Sequence, residues 1–183
     1  MQLDAFLFQY INGFAEHFDW LDFLAVFLAD YLQYCLVVIL IFILFFPEKN
    51  RLKNRIMVFL GILAAFIARF VVKTGIILFY SRPRPFILLE DARQLLNVSF
   101  NENFQSFPSG HAIFFFALSA VLYCFSKKLG AGFFIASVLM AGARVFVGVH
   151  WLSDVVVGAF LGMLVGWAVF KFYQSRSRQI REQ

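Results

Sequence analysis

Charge is scarce in this chain. Of its 183 residues only 15% are Asp, Glu, Lys or Arg, against 62% hydrophobic and 20% aromatic. A soluble domain carries about 25% charged residues. That shortage excludes an ordinary water-soluble fold, because so much apolar surface needs lipid as its solvent. Lys and Arg are missing altogether from the first 30 positions, which instead hold Asp4, Glu16, Asp19, Asp22 and Asp30. A cleavable leader with a positive start is therefore not expected. Cysteine is nearly absent too. Cys35 and Cys124 lie inside apolar runs with no CxxC spacing, and they read as small buried hydrophobes rather than redox or metal groups. There is no carboxylate cluster of the kind that binds a metal. The length suits a single domain, residues 1–183, with no room for a second core.

The long apolar runs carry the fold. A transmembrane helix needs roughly 20 mostly apolar residues, and five spans are expected: 24–46, 56–80, 112–125, 129–149 and 152–173. The third is short unless the turn before it also lies within the membrane. The first twenty residues have apolar positions at helical spacing, interrupted by Asp4, Gln9, Asn12 and Glu16. They predict an amphipathic helix in the interface, with a sixth span as the alternative. The fold class is all-α, a polytopic membrane helix bundle.

The net charge of +5 invites a nucleic-acid partner, but the placement of the cations argues against one. Lys49, Arg51, Lys53, Arg55, Lys127, Lys128, Lys171, Arg176, Arg178 and Arg181 all fall on one side of a five-span bundle. Excess Lys and Arg mark the cytoplasmic side, and anionic membrane lipids explain them further. The N-terminal segment, the loop 81–110 and the turn around residue 150 then face outward. Six cations remain: Arg69, Lys73, Arg82, Arg84, Arg93 and Arg144. Ionisable groups in spans are costly and usually face a partner or a cavity, so something anionic is expected near them.

Three stretches would meet at that outer face: "SRPRPF" (81–86), "FPSGH" (107–111) and "ARVFVGVHWLSD" (143–154). In the second, Pro108 is expected as the first helical residue, with Ser106 or Phe107 as cap. The amides of Ser109, Gly110 and His111 would then belong to a helix start that suits an anion, and Gly110 would let a ligand approach the backbone. An ordinary cap beside an interfacial histidine is the plainer reading of those residues alone. Asp154 follows His150 by four, which puts both on one helical face and lets the carboxylate fix the imidazole tautomer. A structural pair is the alternative there. Arg82 and Arg84, held between prolines, offer guanidinium forks for phosphate oxygens; snorkelling arginines are the alternative. Together a cation cradle, an oriented histidine and a second histidine describe phosphoryl transfer without a metal.

These motifs resemble the type 2 phosphatidic acid phosphatase superfamily, over about residues 69–166. The family's Pro-Ser-Gly-His is complete at Pro108-Ser109-Gly110-His111. Its third motif matches at Arg144, His150 and Asp154, with Ala143 where Ser is usual. The first motif departs: Lys73 precedes Arg82 by nine and Arg84 by eleven, whereas the family separation is seven, which would put the lysine at Ile77. The resemblance implies that His150 forms a phosphohistidine, Asp154 orients it and His111 protonates the leaving oxygen. Lys73, Arg82, Arg84, Ser109, Gly110 and Arg144 would hold the phosphate, with no metal or other cofactor. The wording of the motifs looks most like bacterial undecaprenyl-diphosphate phosphatases. That implies a lipid phosphate or pyrophosphate substrate taken at the outer face of the plasma membrane. Phosphatidate or phosphatidylglycerophosphate is the alternative substrate, and a small anion transporter or channel the alternative class. Glu90, Asp91, Arg93 and Glu102 in the loop 86–106 read as solvated charges.

Overall fold

A computed structural model describes residues 2–45 and 51–181. Their architecture is a helix bundle, with no strand among them beyond an isolated bridge between Arg82 and Gln105. Helix α1 covers Gln2–Asn12. Helices α2 (Asp19–Phe45), α3 (Arg51–Phe79), α5 (Lys127–Phe146) and α6 (Leu152–Arg181) are long and apolar enough to cross a membrane. Helix α4, Gly110–Phe125, is apolar but shorter. The protein is a multi-pass membrane bundle. At 11 residues, α1 is about 16 Å long, half the thickness of a bilayer core, so it is not a sixth span. Phe46 and Lys49 fall outside the described residues.

Helix α4 is the centre of the bundle. Its run "GHAIFFFALSAVLYCF" is apolar all round, and eleven of its residues are buried, packed against α3, α5 and α6. A helix without a polar face is one surrounded by protein, which resolves the shortness of this span. The turn that leads into it is buried as well: Ser106 and Ser109 are both 0% exposed. Against it lies a stripe of small residues on α6, Gly158, Gly162 and Gly166. A side chain at 162 or 166 would run into the α4 backbone at Ile113 or Ala117, and one at 158 would lie 3.0 Å from the Ser109 carbonyl. Small residues at this spacing let membrane helices approach backbone to backbone.

Apolar side chains cover the outside of the spans, among them Val38, Phe42, Phe59, Val138, Phe160 and Trp167. Cys35 is exposed on this outer surface of α2 and Cys124 is half-buried, so neither is the buried core residue expected from the sequence. An apolar environment on the lipid side satisfies the same hydropathy pattern as a protein core. The two ends of the bundle differ. Lys53, Tyr173 and Arg178 gather at one end with Cys124. The other end carries α1, the segment 80–109 and the turn before α6.

Helix α1 is docked on that second end rather than lying free. Phe8 is fully buried against Trp151, ring centroids 5.4 Å apart. Asn12 donates from Nδ2 to the carbonyls of Arg93 and Phe146 at 2.8 and 2.7 Å and accepts from the Arg93 amide at 2.8 Å. Leu3, Phe6 and Tyr10 stay exposed. The polar residues that interrupt its apolar pattern are thus partly the ones that fasten it. Two spans are locally π-helical, at Phe27–Tyr31 in α2 and Ile67–Val72 in α3. Such turns carry an extra residue and recur at functional sites.

Candidate active site

The turn between α5 and α6 places His150, which is 1% exposed. It closes on Gly148, whose φ of +83° suits glycine and where any Cβ would strike the Arg93 carbonyl. His150 precedes α6 rather than lying on it, so helical periodicity does not bring it to Asp154. The turn does: the Trp151 amide donates to Asp154 Oδ2 at 3.0 Å, in the manner of a reciprocal N-terminal cap. His150 Nδ1 then stands 3.5 Å from that same oxygen. On its other edge, Nε2 lies 3.4 Å from Arg84 Nη1. A guanidinium can only donate, so Nε2 is the unprotonated nitrogen and Nδ1 carries the hydrogen toward Asp154. Burial, then the charges of Arg84, Arg144 and Lys73, hold the His150 pKa well below the ordinary histidine value. The imidazole is neutral, with its lone pair aimed at the cations.

Asp154 is fully buried and is held by three donors. Besides the Trp151 amide these are Ser106 Oγ, which bonds to Oδ2, and Arg82 Nη1, at 2.5 Å from Oδ1. Ser106 Oγ also stands 3.5 Å from His150 Nδ1. The network continues outward: Arg82 Nη2 meets Asp4 Oδ2 at 2.5 Å, and Asp4 accepts from the amide and hydroxyl of Ser153 at 3.0 and 2.5 Å. These two carboxylates raise the Arg82 pKa although burial opposes them. Asp4, Ser106 and Ser153 were not assigned functional roles from sequence. Only the position of Ser106 beside the Pro-Ser-Gly-His motif was a signal, and it pointed to a cap.

The six leftover cations divide. Arg82 is committed to Asp4 and Asp154. Arg93 bonds the carbonyls of Gly13 and Ala15 and lies 3.8 Å from Glu16, which ties the loop to the N-terminal segment. The other four converge. Arg69, Lys73 and Arg84 line one cavity of about 160 Å³ with Thr74, Ile77, Glu102 and Gln105. Arg84 is anchored through Nε to the Glu102 carbonyl at 3.0 Å and through Nη1 to the Val149 carbonyl at 2.6 Å. Glu102 also brings its carboxylate to 3.5 Å from Arg84, so it is not merely a solvated loop charge. Arg144, 7% exposed, reaches the Ala29 carbonyl in the π-helical turn of α2 at 3.3 Å, and its Nε has no partner among the described residues.

Lys73 reaches the site despite its unusual spacing. Helix α3 continues to Phe79, and the chain then doubles back in extended form, with the Arg82 amide bonded to Phe104 and the Arg84 amide to Asn103. This return brings Arg84 back to the level of Lys73. The extra residues are used as one more helical turn and its reversal.

The start of α4 differs from its expected form. The helix begins at Gly110 with Ser109 as cap, and Pro108 precedes it, because the Ser109 amide donates to the Asp154 carbonyl at 3.0 Å. That amide is consumed in tying α4 to α6. The Ser109 hydroxyl is buried and has no hydrogen-bond partner among the described residues. The space over Gly110 is taken by the Arg69 guanidinium, which a Cβ there would overlap. His111 lines a second, mainly apolar cavity of about 440 Å³ with Arg69, Gly110 and several phenylalanines, and with Asp30, Gln33 and Tyr34 at its polar side.

The profile of the PAP2 superfamily matches residues 56–178. Among curated proteins, "Bacitracin transport permease protein BcrC" of Bacillus licheniformis is 31% identical over 170 residues, covering 93% of this chain and 79% of that one. "Undecaprenyl-diphosphatase BcrC" of Bacillus subtilis is 28% identical over 168 residues, 91% of this chain and 82% of the relative. Among solved structures, Aquifex aeolicus LpxE superposes with a TM-score of 0.73 at 29% identity, covering 92% of this chain and 95% of that one. A PAP2-type phosphatidylglycerolphosphate phosphatase of Bacillus subtilis gives 0.63 at 22% identity over 95% and 86%, a likeness of fold.

Proposed function

The chain belongs to the PAP2 superfamily of membrane lipid phosphatases, and on that premise we propose that it converts undecaprenyl diphosphate to the monophosphate through a phosphohistidine. The observation that carries this reading is a buried neutral imidazole whose Nε2 faces Arg84, a residue that lines a cavity together with Lys73. In the first step the Nε2 lone pair attacks the terminal phosphorus in line. The bond to the bridging oxygen breaks, and its electron pair leaves with the lipid monophosphate. Arg84, Lys73, Arg144 and the free Ser109 hydroxyl offer donors for the equatorial oxygens, each such donor worth about 10²–10³ in rate. His111 stands on the leaving-group side, beside the apolar cavity, and supplies the proton for the bridging oxygen. Asp154 holds the Nδ1 hydrogen. Water then cleaves the P–N bond and releases inorganic phosphate.

The relative from Bacillus subtilis supports the diphosphate substrate by its name. Phosphatidate or phosphatidylglycerophosphate would undergo the same steps, and the fold likeness to a phosphatidylglycerolphosphate phosphatase keeps those substrates in the comparison. The relative from Bacillus licheniformis carries a permease name. A conduit, however, needs polar groups through the whole membrane thickness, whereas here both histidines of the site and four cations gather at one end of the bundle. The basic clusters at the opposite end support an active end that faces outward from the plasma membrane, because excess Lys and Arg mark the cytoplasmic side.

The test is phosphate release in detergent with chelator present, from undecaprenyl diphosphate and from phosphatidate. Turnover of the diphosphate at the higher kcat/KM is expected, and His150→Ala abolishes it. An active His150→Ala protein, or inhibition by chelator, overturns the mechanism.

A further inference from the structure

We propose that Arg69 holds the phosphate that stays on the lipid, which makes it the residue that distinguishes a diphosphate ester from a monophosphate ester. This deepens the diphosphatase reading above and rests on it. Arg69 and Phe70 line both cavities, and Arg69 is the charged one of the two. On one side it shares the polar cavity with Lys73 and Arg84, beside the nucleophile. On the other it shares the apolar cavity with His111, where the leaving group lies. In a diphosphate the terminal phosphoryl group is attacked and the inner one departs with the lipid, so the inner phosphate must sit between these two regions.

Three further features fit that role. Arg69 precedes Lys73 by one turn of α3, so the two cations point to neighbouring positions along one helix. Its guanidinium lies close over Gly110, where a Cβ would collide with it, so the missing side chain at 110 gives it room beside the start of α4. Among the described residues it makes no side-chain hydrogen bond and no ion pair, in contrast to Arg82 and Arg93, although Glu102 lines the same cavity, and its planar donors remain available for two phosphate oxygens at once. As the P–O bond breaks, the electron pair moves onto the bridging oxygen of the departing monophosphate, and Arg69 faces the charge that develops there. A monophosphate ester leaves an alkoxide instead, with no second phosphate for Arg69 to grip.

The test compares two esters of one polyprenyl alcohol, the diphosphate and the monophosphate, on the same preparations of wild type, Arg69→Gln and Arg69→Lys. For Arg69→Gln, kcat/KM for the diphosphate is expected to fall about 10- to 100-fold further than for the monophosphate, the range for losing a charged hydrogen bond. Arg69→Lys recovers part of the difference. Because both esters are read on one preparation, the ratio is independent of the fraction that folds. Equal losses on the two esters overturn the role of Arg69 while leaving the diphosphatase reading intact. A wild-type protein that hydrolyses neither ester overturns that reading, and the inference with it. Inorganic pyrophosphate gives a second measurement: its inhibition should weaken in Arg69→Gln by about 10-fold more than that of orthophosphate, and parallel changes count against the proposal.

Discussion

At the residue scale, the site separates cations that face the cavity from one that supports the Asp154 carboxylate. Arg82 donates to Asp154 from behind while Ser106 donates from the other side. Removing one member of a buried ion pair costs about 3–5 kcal/mol. Arg82→Met is therefore expected to lower the unfolding temperature in detergent markedly, whereas the smaller Ser106→Ala change costs about 1–2 kcal/mol and lowers kcat more than it alters KM. A rise in KM alone for Ser106→Ala would contradict its role in positioning. His150 gives a pH prediction. Its pKa lies well below the ordinary value of about 6.5, so below that pH the unfolded chain takes up a proton that the folded chain refuses. Stability falls as pH drops through this window, yet the folded protein keeps the neutral imidazole that the proposed nucleophile requires. The acid limb of kcat/KM should accordingly lie below pH 6.5, and a limb at or above 6.5 would exclude His150 as the titrating nucleophile.

At the element scale, the joint between α4 and α6 positions the chemistry. Ser109 and His111 enter from one helix, Asp154 from the other, and the Ser109 amide bonded to the Asp154 carbonyl ties their ends. The glycine stripe keeps that joint closed along its length. Gly162→Leu is expected to force the helices apart, with an overpacking cost of about 1–3 kcal/mol and loss of turnover. Unchanged thermal stability in Gly162→Leu would show that the helices do not depend on this contact. The helices themselves were legible in the sequence, because hydropathy acts over about 20 consecutive residues, and so were the residues of the second and third motifs. What was not legible depends on contacts far apart in the chain. Nothing local marks Asp4 as a partner of Arg82, and nothing in the spacing of Lys73 shows that the chain doubles back after Phe79. The exposure of Cys35 was hidden for a different reason, since lipid and protein core demand the same side chains.

At the scale of the whole molecule, the bundle has one chemical end and one basic end. The orientation proposed for it can be tested in cells carrying Cys35→Ser and Cys124→Ser. A cysteine at Asn97, near the chemical end, should react with a membrane-impermeant maleimide added outside, and one at Ser177 should not. The reverse pattern would invert the topology.

The π-helical turn at Ile67–Val72 has a consequence for how such a chain can vary. A π turn holds one residue more than the α turn it replaces, so deleting a single residue there lets α3 close into an uninterrupted α-helix. Insertion into the membrane would survive that deletion. Arg69 lies inside that turn and Lys73 just beyond it, so a deletion between them changes their spacing from four residues to three and shifts Arg69 against the start of α4. A one-codon deletion thus separates the two demands on this span, since crossing the membrane needs only its length and hydropathy whereas the placing of Arg69 needs the extra residue.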